Sequence, residues 1–111
     1  MITNPITKIE LDSVAIEHFG DMVKAVVDVK KKIMAIGGDL HADEEKLLLE
    51  KDSVQPNLWG INIYPNASTD QRIEFDSMIN LRPRQNNRSR SVEDALIRQQ
   101  IIDVVNGLIS W

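Results

Sequence analysis

Residues 58–64, Leu-Trp-Gly-Ile-Asn-Ile-Tyr, constrain the fold more than any other run of this chain. Aromatic and β-branched side chains at alternate positions favour an extended backbone. Trp59, Ile61 and Ile63 share one face, and Asn62 and Tyr64 share the other. A strand needs partners, and three other stretches alternate in the same way. In Val23–Val29, Ala25, Val27 and Val29 point one way, Lys24 and Asp28 the other. After a polar Lys30-Lys31 turn, residues 32–37 read as the returning strand. Residues 72–82 alternate over their whole length, with Ile73, Phe75, Ser77, Ile79 and Leu81 inward and Glu74, Asp76, Met78, Asn80 and Arg82 outward. Four mostly antiparallel strands in two hairpins follow.

Helix signals lie between and after these strands. Asp12 can cap a short helix over 13–19 that Gly20 ends. Residues 42–51 place Asp43, Glu44 and Glu45 in a first turn, where the helix dipole favours acids, and Leu47, Leu48 and Leu49 supply a buried side. Ser91-Val92-Glu93-Asp94 looks like a capped start, after which Ile97, Ile101, Val104, Val105 and Leu108 recur at helical spacing. Residues 1–10 read as a loosely ordered lead-in. The expectation is a single α+β domain over residues 1–111, with about three helices packed on one sheet face. The other face, with Asn62, Tyr64, Glu74, Asp76, Asn80 and Arg82, is then open to solvent or a partner.

Composition removes several functions. No cysteine is present, so disulfides, thiolate metal sites and cysteine nucleophiles are excluded together. Residues 1–70 carry all seven lysines against twelve acids, whereas residues 71–111 carry all six arginines against five. With a pI near 5.1, a nucleic-acid partner is disfavoured, because duplex-binding domains present a broad basic face. The opening Met-Ile-Thr-Asn-Pro-Ile-Thr-Lys has no basic region before an apolar run, so no signal peptide is expected. No apolar stretch approaches the roughly 20 residues of a membrane span. No membrane contact and a cytoplasmic location are the expectation.

Four of the six arginines fall in Asn80–Arg90, Asn-Leu-Arg-Pro-Arg-Gln-Asn-Asn-Arg-Ser-Arg, with no acid among them. Guanidinium forks match carboxylate and phosphate oxygens. If Pro83 turns the chain back, Arg82, Arg88 and Arg90 can converge on a small anionic ligand. Gln85 and Asn87 would add neutral donors, and Asn62, Tyr64 and Asn80 would line the adjoining face. The alternative is that these arginines pair with Glu74, Asp76 and Asp94, or lie in solvent. A second candidate is Asp39, His41 and Asp43, which can offer two oxygens and an imidazole nitrogen to a divalent metal. It falls short of the ligand number zinc or calcium takes, and a helix-capping cluster explains the same residues. No cofactor is predicted beyond that metal. Glu74 and Asp76 could work as an acid–base pair, but on a strand they read more simply as a solvated face. No serine stands in a nucleophile elbow. The leading expectation is a binding or regulatory module for a small anion. A homo-oligomer formed through the open sheet face, Met78 included, and a metal-assisted hydrolase are the alternatives.

From about Met22 onward the chain resembles a family of small prokaryotic proteins known as a domain of unknown function. The resemblance rests on His41-Ala42-Asp43-Glu44 with Leu47-Leu48-Leu49-Glu50, and on Leu58-Trp59-Gly60-Ile61-Asn62-Ile63-Tyr64-Pro65. Ser77-Met78-Ile79-Asn80-Leu81-Arg82-Pro83, Gln85 and Asn87-Arg88-Ser89-Arg90 complete it. In the family pattern a serine stands at the position of Arg84, and Gly-Asn-Arg-Ser at 86–89, which argues against Arg84 as a shared functional residue. The resemblance implies a compact cytosolic domain and carries no chemistry with it.

Overall fold

Val23, Ala25 and Val27 are buried on one side of a strand, and Val26 is buried on the other, so this strand must be covered on both faces. The computed structural model, which describes all residues from Met1 to Trp111, places that strand at the centre. The elements run β1 (Ile6–Thr7), α1 (Lys8–His18), β2 (Val23–Asp28), β3 (Ile33–Ile36), α2 (His41–Glu50), β4 (Leu58–Ile63), β5 (Ile73–Glu74), α3 (Ala95–Leu108) and β6 (Ile109–Ser110). Four strands form an antiparallel sheet in the order β3-β2-β4-β5. The α+β architecture with three helices and two hairpins is as expected. No helix is long and apolar enough to cross a membrane.

The helices do not share one sheet face. Leu11 and Ala15 of α1 and Ile101, Val104, Val105 and Leu108 of α3 pack with Val23, Val27, Trp59, Ile61 and Ile63. Leu48 of α2 packs on the opposite side with Val26, Ala35 and Leu58. The face expected to be open is therefore largely closed by α2. The reason lies in Val26 and Leu58, apolar residues on the side that alternation assigned to solvent. Asp28, on that same side, is fully buried: its carboxylate accepts from the Lys30 and Lys31 N–H groups, each at 2.9 Å, and from the Ser53 hydroxyl at 2.7 Å.

The lead-in is ordered. Ile2 bridges Met34 on the β3 edge, and β1 pairs in parallel with β6, Ile6 opposite Ile109. Helix α1 starts earlier than Asp12 suggested, because Thr7 and Glu10 form a reciprocal capping box, with the Glu10 N–H on the Thr7 hydroxyl at 3.1 Å. Helix α3 starts later than Ser91, capped by the Asp94 carboxylate, which accepts from Leu96 N–H at 2.8 Å.

The largest departure is in residues 72–82. Only Ile73–Glu74 pair as a strand; the chain then turns over β4 and makes a short 3₁₀ turn at Met78–Asn80. This crossing needs Gly60, since a Cβ there would lie 2.6 Å from Ser77 Cβ. Beyond β5 the outer edge of β4 has no strand beside it, and side chains take its place. The Asn80 carboxamide accepts from Gly60 N–H at 2.8 Å and donates to Gly60 C=O at 2.9 Å. The Arg82 guanidinium donates to Leu58 C=O at 2.6 Å and to Gln55 C=O at 2.5 Å, and lies 4.1 Å from the centre of the Trp59 ring. Asn80→Ala would leave both Gly60 backbone groups buried and unpaired. It should lower the unfolding free energy by roughly 2–4 kcal/mol in urea titrations. A loss below about 1 kcal/mol would mean that the edge is not held this way.

Candidate functional site

The register of the sheet puts three polar residues in one row. Lys24 on β2 is the cross-strand partner of Asn62 on β4, which is the partner of Glu74 on β5. Such neighbours lie about 5 Å apart and share a face. This row lies beyond the apolar patch that Leu48 covers, at the opposite end of β2 from buried Asp28. Asn62 donates to the Glu74 carboxylate at 2.8 Å and to Asp76 C=O at 3.3 Å, while its own Oδ1 is buried without a partner. The Tyr64 hydroxyl also reaches Glu74, at 3.4 Å. Burial first, then Glu74, raises the Tyr64 pKa. Lys24 rests 5.4 Å from the Phe19 ring centre and forms no ion pair.

The start of α2 forms one wall beside this row. His41, 8% exposed, directs Nε2 at Ile61 C=O, 2.7 Å away. A carbonyl can only accept, so Nε2 carries the proton, and in the neutral ring Nδ1 is left as an acceptor with no partner. Burial lowers the His41 pKa; the Ile61 carbonyl and Asp76 act against this, and Lys24 and Arg90 act with it. The imidazole is therefore neutral at pH 7 and lies in the field of two cations. Leu40 has no side chain to cap α2, so the first N–H groups, those of His41 and Ala42, are left free.

The loop after β5 forms the other wall. Asn87, 3% exposed, holds it together. Its amide donates to Asn80 C=O and Ser91 C=O, both at 2.7 Å, and its Oδ1 accepts from Glu93 N–H at 2.9 Å. Arg90 C=O accepts from Ser77 N–H at 3.0 Å and from the Asn80 amide at 3.0 Å. These bonds set Arg90 beside Asp76, which takes the Arg90 Nε–H at 2.7 Å. Both terminal guanidinium nitrogens of Arg90 make no hydrogen bond. Between the walls lies a cleft of about 200 Å³ whose polar lining is Lys24, His41, Ser77 and Arg90. The largest concavity, about 480 Å³ between the β2–β3 turn and α3, is lined by Lys32 and Asp103 among others and offers no such convergence of cations.

The residues expected to act together are divided. Arg82 is turned inward to main-chain carbonyls, and burial lowers its pKa against the pull of Glu45. Gln85 donates to Pro56 C=O at 3.1 Å. Arg88 is exposed, and only its backbone N–H is bonded, to Glu93 at 2.8 Å. Of the arginine loop, Arg90 alone lines the cleft, while Asn80 and Asn87 hold the loop. His41 lines the cleft too, Asn62 lies opposite Lys24 in the polar row, and Tyr64 reaches Glu74 rather than the cleft. Asp39, His41 and Asp43 diverge: Asp39 turns to His18 at 3.1 Å, His41 points inward, and Asp43 is exposed. No group of three or more His, Asp or Glu side chains is placed to hold a metal ion. Glu74 and Asp76 have separate partners and do not act as a pair. Lys24 and Ser77 were missed as site residues. A lysine interrupting the apolar run of β2 was the signal for the first.

The family model described as "Protein of unknown function (DUF5674)" matches residues 1–108, and the chain belongs to that family. The match begins well before Met22, where the resemblance was expected to start. No curated protein and no solved structure matches the chain.

Glu44 lies in the first turn of α2, three residues after His41. It is 3% exposed, accepts from Gly38 N–H at 3.1 Å, and has one oxygen without a partner. Burial pushes its pKa up to about 8, although Gly38 N–H and Lys24 pull it down. It is thus largely protonated at pH 7 and does not neutralise Lys24. From the ordinary 4.5 up to about 8, the folded chain holds a proton that the unfolded chain has released. Stability is therefore full below that window and falls as pH rises through it, by at most about 1.4 kcal/mol per unit. His41, buried neutral, acts with the opposite sign and only below about 6.5. Urea midpoints should fall between pH 6.5 and 8 in the native protein and hold level in Glu44→Gln. Equal slopes in the two proteins would contradict a protonated Glu44.

Proposed function

We propose that the protein is a small binding module that holds one oxyanion, a phosphate or carboxylate group, in the cleft between the start of α2 and the Ser77–Arg90 loop. The observation that carries this reading is the convergence of two incompletely matched cations on one uncapped helix start. Lys24 has no carboxylate partner, and Arg90 meets Asp76 through Nε alone. The free N–H groups of His41 and Ala42 add donors, and the positive end of the α2 dipole favours negative charge there. Neutral His41 can accept a proton-bearing oxygen at Nδ1, which suits a protonated phosphate.

Binding is favoured over catalysis by the state of Ser77. Its hydroxyl accepts from Ile79 N–H at 3.3 Å and sits against Gly60, with no hydrogen bond to His41. A serine so engaged is not an activated nucleophile, which needs a base within hydrogen-bond reach. Each charge-assisted hydrogen bond to a bound anion contributes roughly 1.5–3 kcal/mol, so losing one weakens binding tenfold or more.

Titration with inorganic phosphate, followed by amide and imidazole resonances, should shift Leu40, His41, Ala42 and Arg90 together. Lys24→Gln and Arg90→Gln should each raise Kd by roughly tenfold or more. Resonances at 40–42 and 76–90 that stay unmoved in millimolar phosphate and in millimolar carboxylates alike would overturn the reading.

A further inference from the structure

Four of the eight residues that line the cleft are apolar, and two of these, Leu40 and Met78, are bare. Leu40 is 58% exposed at the foot of α2, and Met78 is 61% exposed on the 3₁₀ turn, so the two walls each present one uncovered apolar side chain. Ala42 and half-buried Ile79 extend the same surface between them. Leu40 and Met78 belong to neither buried cluster, so folding alone gives no reason for their chemistry. Lys24 and Arg90 lie within the same cleft, along with His41, a nine-tenths buried side chain whose Nδ1 is unpartnered. Ligand sites commonly join an apolar lining to a few convergent polar groups that fix orientation.

Resting on the anion reading above, we infer that the ligand is an amphipathic organic anion, an oxyanion head on a short unbranched aliphatic tail. An inorganic ion would be held by the polar side and would leave Leu40 and Met78 in water. A tail leaving the head between Lys24 and Arg90 covers both. Methionine, unbranched and adaptable, suits a tail of variable length. The cleft is open and small, so it takes a short chain extended along the gap between α2 and the 3₁₀ turn.

The test uses a series of acetate, butanoate, hexanoate and octanoate, with inorganic phosphate as reference, titrated into the native protein and into Leu40→Ala and Met78→Ala, since alanine shortens the apolar side chain without capping α2. Both replaced side chains are exposed, and thermal melts confirm that the variants fold. In the native protein affinity should rise roughly two- to fourfold per methylene until the tail outgrows the cleft. The rise should flatten in both variants. Anion binding that is independent of tail length, or a rise that persists in the variants, overturns the amphipathic ligand and leaves the anion site standing. Failure of phosphate and every carboxylate to bind overturns both.

Discussion

A strand buried on both faces cannot leave one edge without hydrogen bonds, because its N–H and C=O groups have no water to turn to. In β4 that edge is completed in three different ways. Glu74 supplies a strand at Asn62, the Asn80 carboxamide stands in for a peptide group at Gly60, and the Arg82 guanidinium reaches Leu58. Much of the second half of the chain serves this requirement. Gly60 lets the crossing segment approach, and Asn87 holds the loop that delivers both substitutes. Two of the residues that looked most like ligand donors are thus part of the sheet.

The cleft is a by-product of the same arrangement. A full-length β5 would have laid Met78 and Asn80 along the sheet and kept Arg90 far from α2. Because the chain leaves β4 early and returns through Asn87, Arg90 comes back beside Asp76 and Ser77. The polar row Lys24–Asn62–Glu74 then lies at the edge of what Leu48 covers. Protonated Glu44 adds no negative charge of its own to the first turn of α2.

Much of this was legible from residue order alone, because local rules sufficed. Alternation located β2, β3 and β4, and the three- and four-residue stripe located α3. The capping box of Thr7 and Glu10 was equally readable, and Asp12 drew attention away from it. Two-sided burial is also present, in Val26 and Leu58, but alternation alone implies one buried face. What could not be read was the fate of residues 75–91. Their alternation is real, yet Asn80 and Arg82 find their partners on β4 at Gly60 and Leu58, 20 and 24 residues away in the chain. Arg82 and Arg90 are alike as residue types. Only the fold makes one a structural tie and the other a cleft residue.

Main-chain pairing is indifferent to which side chains it joins, but an edge closed by side chains is not. A strand tolerates drift at most positions, whereas Asn80 and Arg82 each have one chemical solution. Substitutions should therefore be rejected most strongly at Asn80 and Arg82, and tolerated more readily at Lys24, Leu40 and Met78. In any comparison across relatives, the most invariant positions of this fold and the positions lining the proposed site would be different sets, and invariance read naively would point to the wrong one.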